Sequence, residues 1–194
     1  PPLCETCGRK LQCRKGGPKC IDCLVNAAPF DRLWTEFDYE PVAGYVIQYA
    51  KKWGLPAIMT WLLATVKPIT DDELSMDFDG IVAIPDRHDR YRRRGFSTSA
   101  MIANRLSELL GDVPTLHTLT WARATERQSG LSKKARLKNM EGAFIAHNVS
   151  GKVLLIVDDV YTTGSTLKSA SRALKRAGAK TVNGFALAHR CAPY

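Results

Sequence analysis

Residues 154 to 166 combine two adjacent carboxylates with a loop of hydroxyl residues around one glycine. They read LLIVDDVYTTGST, with Asp158 and Asp159 after an apolar run and Gly164 in the following loop. Small residues let the backbone approach a ligand closely, and a helix that follows presents unpaired N–H groups to an anion. Carboxylates accept hydrogen bonds well from vicinal hydroxyls. This segment therefore predicts a site for a sugar that carries a phosphate.

Two other interpretations of this segment are weaker. In a nucleotide hydrolase, acidic residues at a strand end hold magnesium, but such proteins also need a G-x-x-x-x-G-K-[ST] loop, which this sequence lacks. Strand-end aspartates can also merely cap a helix, yet a cap needs one residue rather than the whole string.

The N-terminal cysteines form the pattern C-x-x-C, twelve residues, C-x-x-C, in the order Cys4, Cys7, Cys20 and Cys23. Two such pairs supply the four thiolates of a tetrahedral zinc site. Disulfides are an alternative, as is Cys13 acting as a substitute ligand. Cys13 and Cys191 otherwise have no partner pattern, and we expect a structural zinc ion on the four paired cysteines.

Basic residues are clustered in a chain with a net charge of +9 and a pI of about 9.4. One cluster spans residues 90–94, and a second spans residues 123–138. Such clusters suit a polyanion, either a small molecule's phosphates or a nucleic-acid backbone. A solvated basic face is the alternative.

The longest apolar run, residues 57–66, falls short of the roughly 20 residues that a bilayer span needs. The sequence begins at Pro1 without a charged and apolar leader. We therefore expect a cytoplasmic protein with no membrane insertion.

Apolar runs that predict strands alternate with segments of helical periodicity. Strands are predicted at residues 80–85, 152–157 and 181–187, with one helix from Ser97 or Thr98 to Gly111 and another ending at Gly178. This alternation predicts an α/β fold with a doubly wound parallel sheet, whose ligands bind outside the carboxyl ends of the strands. Upstream, residues 31–53 predict a short strand pair leading into a helix, residues 58–66 a helix, and residues 70–77 a linker.

The motif VDDVYTTGST resembles the phosphoribosyl-diphosphate signature of type I phosphoribosyltransferases. A wider resemblance, over nearly the whole chain, is to the ComF family of competence-related proteins: a four-cysteine N-terminal zinc finger, RRRGFSTSAMIA, and RATERQSGLSKKARLKNMEGAF. Family members usually carry asparagine where this chain has Ser97. The resemblance implies a type I phosphoribosyltransferase-like twisted parallel sheet flanked by helices, with a small N-terminal zinc-binding module. The implied parts are residues 1–30, a connecting segment 31–77 and a phosphoribosyltransferase-like domain 78–194.

The resemblance also implies roles for individual residues. Asp158 and Asp159 would be the catalytic pair that binds the ribose hydroxyls of phosphoribosyl diphosphate, with magnesium completing charge neutralisation. The 5-phosphate would lie on Thr162, Thr163, Gly164, Ser165 and Thr166. The pyrophosphate loop would be Asp86, Arg87, His88, Asp89 and Arg90. Residues 123–139 match the mobile hood that closes over the site in catalytic relatives.

Two classes of function follow from the resemblance. One is a ComF-like protein that binds phosphoribosyl diphosphate and takes part in DNA uptake and natural transformation, handling single-stranded DNA alongside proteins of the uptake machinery. The alternative is an active phosphoribosyltransferase that transfers phosphoribose to an unidentified nitrogen acceptor, with no direct DNA role; a ligand-responsive regulator is a third hypothesis. Aromatic residues interleaved with charge either stack on bases or belong to the core: Trp34, Phe37, Tyr39, Trp53, Tyr91 and Phe96.

We expect the isolated protein to contain one zinc ion per chain, measurable by elemental analysis. Stripping the metal should remove the order of about the first 25 residues, because so short a segment has too little core to fold without it. Amide hydrogen exchange before and after chelation measures this loss. A metal-free protein with an ordered N-terminus, or a bond between Cys4 and Cys23, would contradict the zinc assignment.

Overall fold

The computed structural model describes residues 4–8, 11, 17–25, 27–67, 77–122 and 139–190. The strands are Leu33–Asp38 (β1), Gly80–Ala83 (β2), Leu119–Trp121 (β3), Phe144–Ala146 (β4), Val153–Tyr161 (β5) and Thr181–His189 (β6). The helices are Ile21–Val25 (α1), Gly44–Trp53 (α2), Pro56–Ala64 (α3), His88–Arg94 (α4), Thr98–Leu109 (α5) and Ser165–Arg176 (α6). An irregular turn, Tyr39–Ala43, in which Glu40 has an extended backbone, connects β1 to α2.

The main sheet has the strand order β1-β6-β5-β2, and each neighbouring pair is parallel. Strand β5 lies inside the sheet, between β6 and β2. Because parallel strands end at the same edge, the segments after β2 and β5 meet at one edge, which we call the carboxyl edge. The predicted α/β fold with a parallel sheet is confirmed. Strands β3 and β4 form a separate antiparallel pair.

The sheet is covered on both faces, so its strands carry almost continuous apolar runs. Side chains alternate between faces along β5. Leu155 and Val157 belong to the core that includes buried residues of α2, α3 and α5, whereas Leu154 and Ile156 belong to the core that includes α6 and the four cysteines. The cysteine cluster is therefore continuous with one face of the sheet.

Two sequence predictions are corrected near the N-terminal half of the sheet. Residues 31–53 contain one strand among the described elements, not a strand pair, before the chain turns into α2. Asp38 pairs with His189, the last residue of β6, so β1 has no strand beside it beyond this point and the chain turns toward α2. The segment predicted as a loop at 86–90 is extended only to Arg87, and His88 begins α4.

Strand β5 is longer than predicted, because it continues past Val157 to Tyr161. Its ladder with β6 includes the pairs Asp158 with Ala186 and Val160 with Ala188. The two aspartates are thus part of the sheet, held by backbone hydrogen bonds, rather than residues of the loop after it.

Several predictions fall on residues outside the described ranges. They are the linker over most of 70–77, the hood over 123–138, Cys13 and Cys191. The domain boundaries also remain a prediction. Within the described residues, no helix has both the length and the apolar character needed to cross a membrane.

Candidate functional site

An open cleft of about 780 Å³ lies at the carboxyl edge, between the ends of β2 and β5. Cationic side chains from two helices line it together with three carboxylates: Lys51 and Lys52 from α2, Arg90, Arg93 and Arg94 from α4, Arg87 just before α4, and Asp86, Asp158 and Asp159. The excess of cations makes the cleft suited to a ligand with several negative charges.

Asp159 is held by two groups on the α2 and α5 side of the sheet. Lys51 forms an ion pair with its carboxylate, and the hydroxyl of Thr98 donates a hydrogen bond of 2.9 Å to Oδ2. Burial opposes ionisation, but Lys51 and Thr98 outweigh it and lower the pKa of Asp159. Asp159 is therefore a carboxylate at neutral pH, with only 14 % of its side chain exposed. Asp159 is therefore more buried than an aspartate at the open end of a strand would be.

Asp158 has the opposite protonation behaviour. Its Oδ1 accepts a hydrogen bond of 2.9 Å from the backbone N–H of Asp159. Burial, together with the negative charge of Asp159, raises the pKa of Asp158 to about 7, although Lys51 acts in the other direction. The adjacent carboxyl groups thus differ in charge near neutral pH, one fixed and one able to exchange a proton.

The loop 162–166 brings hydroxyl groups and backbone N–H groups to the start of α6. Gly164 has φ +70°, a left-handed conformation that glycine adopts without strain. The N–H of Ser165 donates a 3.4 Å hydrogen bond to the hydroxyl of Thr163. Since α6 has twelve residues and no acidic residue in its first turn, its N-terminal dipole is available to an anion. A small cavity here is lined by Asp158, Val160, Tyr161, Thr162, Gly164, Ser165, Thr166 and Leu167.

The ring of Tyr161 packs against Gly164 of this loop. Tyr161 was not among the residues predicted from the sequence. A Cβ atom on Gly164 would lie 2.5 Å from a ring carbon of Tyr161, so only glycine fits there. The ring is buried and makes edge contacts with Phe30, at 6.4 Å between centroids, and with His189, at 5.3 Å. A buried aromatic three residues before a glycine is the sequence signal that could have identified this close packing.

The wall of the cleft that faces β5 is formed by residues that come after β2 in the chain. Asp86 and Arg94 form an ion pair, and Trp121 Nε1 donates a hydrogen bond of 2.9 Å to the carbonyl of Pro85. Asp86 Oδ2 and Arg94 Nε are buried without a hydrogen-bond partner among the described residues. Such unpaired buried polar atoms are costly, which favours a ligand or ion on this wall. Burial, then the charges of Arg87 and Arg94, lowers the pKa of Arg90.

The structure separates the residues predicted for the pyrophosphate loop. Asp86, Arg87 and Arg90 line the cleft, whereas His88 and Asp89 are exposed and do not line it. Ser97 has a local role, since its hydroxyl accepts a 3.3 Å hydrogen bond from the N–H of Ala100 and caps α5.

Lys51 and Trp121 are two further site residues that sequence reasoning missed. Both line the cleft and lie outside the signature motif. No local pattern marked them, because a lysine on a helix is usually solvated and a tryptophan usually belongs to a core. Trp121 also packs on Phe144 of β4, with 4.4 Å between ring centroids.

The four paired cysteines form a second candidate site. Their sulfur atoms lie within 4.8 Å of one another, and all four residues are buried and unbridged. A tetrahedral ion with metal–sulfur bonds of about 2.3 Å separates its ligands by about 3.8 Å, so these four thiols could hold a metal ion. Burial would raise the pKa of Cys4, but N–H groups from Cys20, Cys7 and Thr6 lower it to about 7. This environment favours the thiolate form of Cys4, whereas burial raises the pKa of Cys23 to about 12, so a bound metal ion would have to displace the proton of Cys23.

The cluster packs against the edge of the main sheet. The N–H of Cys20 donates to Cys4 Sγ at 3.2 Å, and a Cβ on Gly8 would lie 3.2 Å from the carbonyl oxygen of Leu33 in β1. Gly8 follows Cys7 with φ +67°. The turn after the first cysteine pair is thus fitted closely to the strand beside it.

Comparison with known proteins identifies the family of this chain. The model of the phosphoribosyl transferase domain family matches residues 92–192. DNA utilization protein YhgH of Salmonella typhimurium is 32 % identical over 190 residues, which cover 95 % of this chain and 83 % of that protein. Competence protein F of Haemophilus influenzae is 29 % identical over 196 residues, which cover 96 % of this chain and 84 % of that protein.

A solved structure, glutamine phosphoribosylpyrophosphate amidotransferase from B. subtilis complexed with ADP and GMP, matches 66 % of this chain and 25 % of its own, at 23 % identity and a TM-score of 0.42. The family match spans more than half of the chain, and the relatives match it almost from end to end. The chain therefore belongs to the phosphoribosyl transferase domain family and, within it, to the ComF group that includes DNA utilization protein YhgH and competence protein F.

Proposed function

We propose that this protein binds phosphoribosyl diphosphate at the carboxyl edge and takes part in DNA uptake, where it handles single-stranded DNA. The observation that carries the first part is the placement of two carboxylates between a hydroxyl loop and a wall of arginines in one cleft. Phosphoribosyl diphosphate carries vicinal hydroxyls, a monophosphate and a pyrophosphate on one sugar. In chemistry these groups match the carboxylates, the hydroxyl loop and the arginines, respectively.

Each part of the ligand has a proposed partner. Asp158 and Asp159 accept hydrogen bonds from the ribose hydroxyls. The loop 162–166 holds the 5-phosphate with neutral donors and the start of α6. Asp86, Arg87 and Arg90 face the pyrophosphate, whose charge arginine forks pair with well. His88 and Asp89 are exposed and do not line the cleft, although Asp89 pairs with Arg87 at 3.5 Å, so their part in the pyrophosphate loop stays a prediction.

Two metals belong to the proposal. Magnesium prefers oxygen ligands, and the unpartnered Asp86 Oδ2 and the carboxylates of Asp158 and Asp159 offer them in the cleft. When bound, magnesium would neutralise pyrophosphate charge. Zinc would occupy the four cysteines, whose buried thiols match its preference for four sulfur ligands.

An active phosphoribosyltransferase is the alternative for the same cleft. Departure of pyrophosphate from C1 of the ribose needs positioning, stabilisation of the leaving charge and exclusion of water, but no nucleophilic side chain. Arg87 and Arg90 would stabilise the leaving group, and Asp159 would orient the sugar. Residues 123–139, which follow Trp121 closely in the sequence, would form the cover that excludes water from the cleft.

The DNA role is supported by two relatives, one named for DNA utilization and one for competence. It is also supported by charge, because Arg92 and Arg93 are exposed on α4. Arg94 is not available to DNA, since its side chain is 8 % exposed and paired with Asp86. The second basic cluster predicted from the sequence, residues 123–138, lies outside the described residues. Partner proteins from the uptake machinery remain part of the proposal.

Release of pyrophosphate from phosphoribosyl diphosphate and magnesium distinguishes the two functions. The assay is run with and without a panel of nucleobases and amines. Release that depends on one acceptor would establish a transferase, whereas tight binding without release would favour a binding protein.

Replacing Asp158 and Asp159 together by asparagine should weaken binding of phosphoribosyl diphosphate by about 100-fold or more, because two charged hydrogen-bond acceptors are lost. Asparagine keeps the side-chain volume and can still accept from Thr98. Isothermal titration calorimetry measures the affinity, and circular dichroism checks the fold. Asp112→Asn removes an exposed carboxylate and should change nothing. Unchanged affinity in the folded double variant would disprove the assigned role of the carboxylates.

Binding of phosphoribosyl diphosphate should weaken as the pH falls through about 7. Only the ionised Asp158 accepts two hydroxyl donors fully, and its pKa is about 7, so affinity below that pH should fall by up to about tenfold per pH unit. Titrations at pH 6 in two buffers of different ionisation enthalpy should also detect release of a proton on binding. Asp158→Asn should remove this part of the pH dependence; if it does not, the ligand's own phosphate causes it.

Single-stranded DNA should bind with an affinity that falls steeply with salt. Each neutralised phosphate contributes about 0.7 to the slope of log K against log salt, so Arg92→Glu with Arg93→Glu should reduce the slope by up to about 1.4. Lys152→Glu with Lys180→Glu makes the same charge change at the opposite edge of the sheet and should have a smaller effect. Fluorescence anisotropy of a labelled oligonucleotide measures both. Absence of binding at low salt would refute direct DNA handling.

A further inference from the structure

Helix α2 exposes three aromatic rings in a row. Tyr45, Tyr49 and Trp53 recur every four residues, and their exposed fractions are 69 %, 40 % and 59 %. The ring centroids of Tyr45 and Tyr49 are 5.8 Å apart in a stacked arrangement, and those of Tyr49 and Trp53 are 6.3 Å apart. We call these three residues the aromatic ladder.

Among the described residues, the three rings of the ladder are not part of the hydrophobic core. The buried face of α2 consists of Gly44, Ile47 and Ala50, which point to the other side of the helix. Aromatic residues at helical spacing normally pack inward, since burial of each ring is strongly favourable. A contiguous exposed apolar strip bordered by polar residues is typical of a binding surface.

The ladder lies beside the cleft and, like the cleft, is flanked by positively charged side chains. Lys52 Nζ lies 5.1 Å from the centroid of the Trp53 ring and also lines the cleft. Gln48 and Lys51, from the same helix, line the cleft as well. Helix α2 contacts α4, which presents the exposed Arg92 and Arg93. A ligand on the ladder therefore meets flat apolar rings beside a row of cations.

We propose that the aromatic ladder is a stacking platform for the bases of single-stranded nucleic acid, with the phosphates directed toward Lys52 and the exposed Arg92 and Arg93 of α4. Stacking platforms of this kind pair aromatic rings with a cationic track and tolerate any base sequence. This inference rests on the proposed role in handling single-stranded DNA and assigns that role a surface.

The spacing of the rings favours a single strand over a duplex. Successive bases of a B-DNA strand are about 3.4 Å apart, little more than half the distance between rungs of the ladder. A stacked duplex cannot place neighbouring bases on neighbouring rings, and its base faces are covered. A single strand has a flexible backbone, so it can separate and tilt its bases to follow rings that are inclined to one another by 29° and 51°.

Charge favours a nucleic-acid strand over a second copy of the chain as the occupant of the ladder. A second copy of the chain would bring two proteins of net charge +9 together, whereas a nucleic-acid strand is polyanionic and carries flat rings. Among the aromatics that the sequence suggested for stacking, Tyr39 and Phe96 are buried and only Trp53 and Tyr91 are markedly exposed. The structure therefore moves the stacking surface to α2, where Tyr45 and Tyr49 join Trp53.

The test compares ladder variants with an exposed tryptophan elsewhere. Tyr45→Ala, Tyr49→Ala and Trp53→Ala are made singly and together, and Trp61→Ala on α3, where the side chain is 62 % exposed, is the matched control. Anisotropy of a labelled oligothymidine should show a loss of affinity of about fivefold or more for each ladder ring. The salt slope should stay unchanged, because no phosphate contact is removed, and Trp61→Ala should bind normally.

Several results would overturn the inference. If the triple variant binds oligothymidine normally while Arg92→Glu with Arg93→Glu loses affinity, the ladder is not the platform but the DNA role survives. If the unmodified protein fails to bind single strands at low salt, the DNA role itself fails. Equal affinity for a duplex of the same length, or loss of self-association instead of DNA binding in sedimentation experiments, would also reject the ladder as a single-strand platform. Circular dichroism of each variant checks that the fold is intact.

Discussion

Repulsion between the carboxylates of Asp158 and Asp159 is the constraint around which the cleft is organised. Two like charges on consecutive residues of an interior strand are unfavourable unless each has its own environment. Alternation along β5 sends them to opposite faces, and Lys51 with Thr98 keeps Asp159 ionised. Asp158 is left with a pKa of about 7. The position of α2 against the sheet is therefore needed for the charge state of the site.

The parallel sheet brings the other parts of the cleft to this pair. Since β2 and β5 run in the same direction side by side, the turn toward α4 and the loop before α6 emerge at one edge. The two walls differ in kind: the loop offers hydroxyls and a helix dipole, and the segment after β2 offers guanidinium groups. Tyr161 and Trp121 hold these walls in place by packing and by a hydrogen bond to Pro85.

Helix α2 connects the interior of the cleft with the outer surface. One side of the helix packs into the core through Ile47 and Ala50, a second side reaches Asp159 through Lys51, and a third carries the aromatic ladder. The binding proposed on the ladder and the binding proposed in the cleft would thus involve the same helix. A shift of α2 would alter both the ion pair of Asp159 and the spacing of the rings.

The sequence by itself determined the local features of this protein. The alternating apolar runs predicted the α/β class, the paired cysteines predicted a metal-binding cluster, and the VDDVYTTGST motif predicted the family. These signals are readable because each depends on residues close together in the chain. The length of β5 was underestimated, since pairing with β6 extends the strand through polar residues that break an apolar pattern.

Only the tertiary structure decided which distant side chains complete the site. Lys51 lies more than a hundred residues before Asp159 in the sequence, and no local pattern separates it from a solvated lysine. Arg92 and Arg94 look alike in sequence, yet one is exposed and the other is buried against Asp86. Burial and charge pairing depend on how helices pack on the sheet, and that packing is a property of the whole chain rather than of any segment.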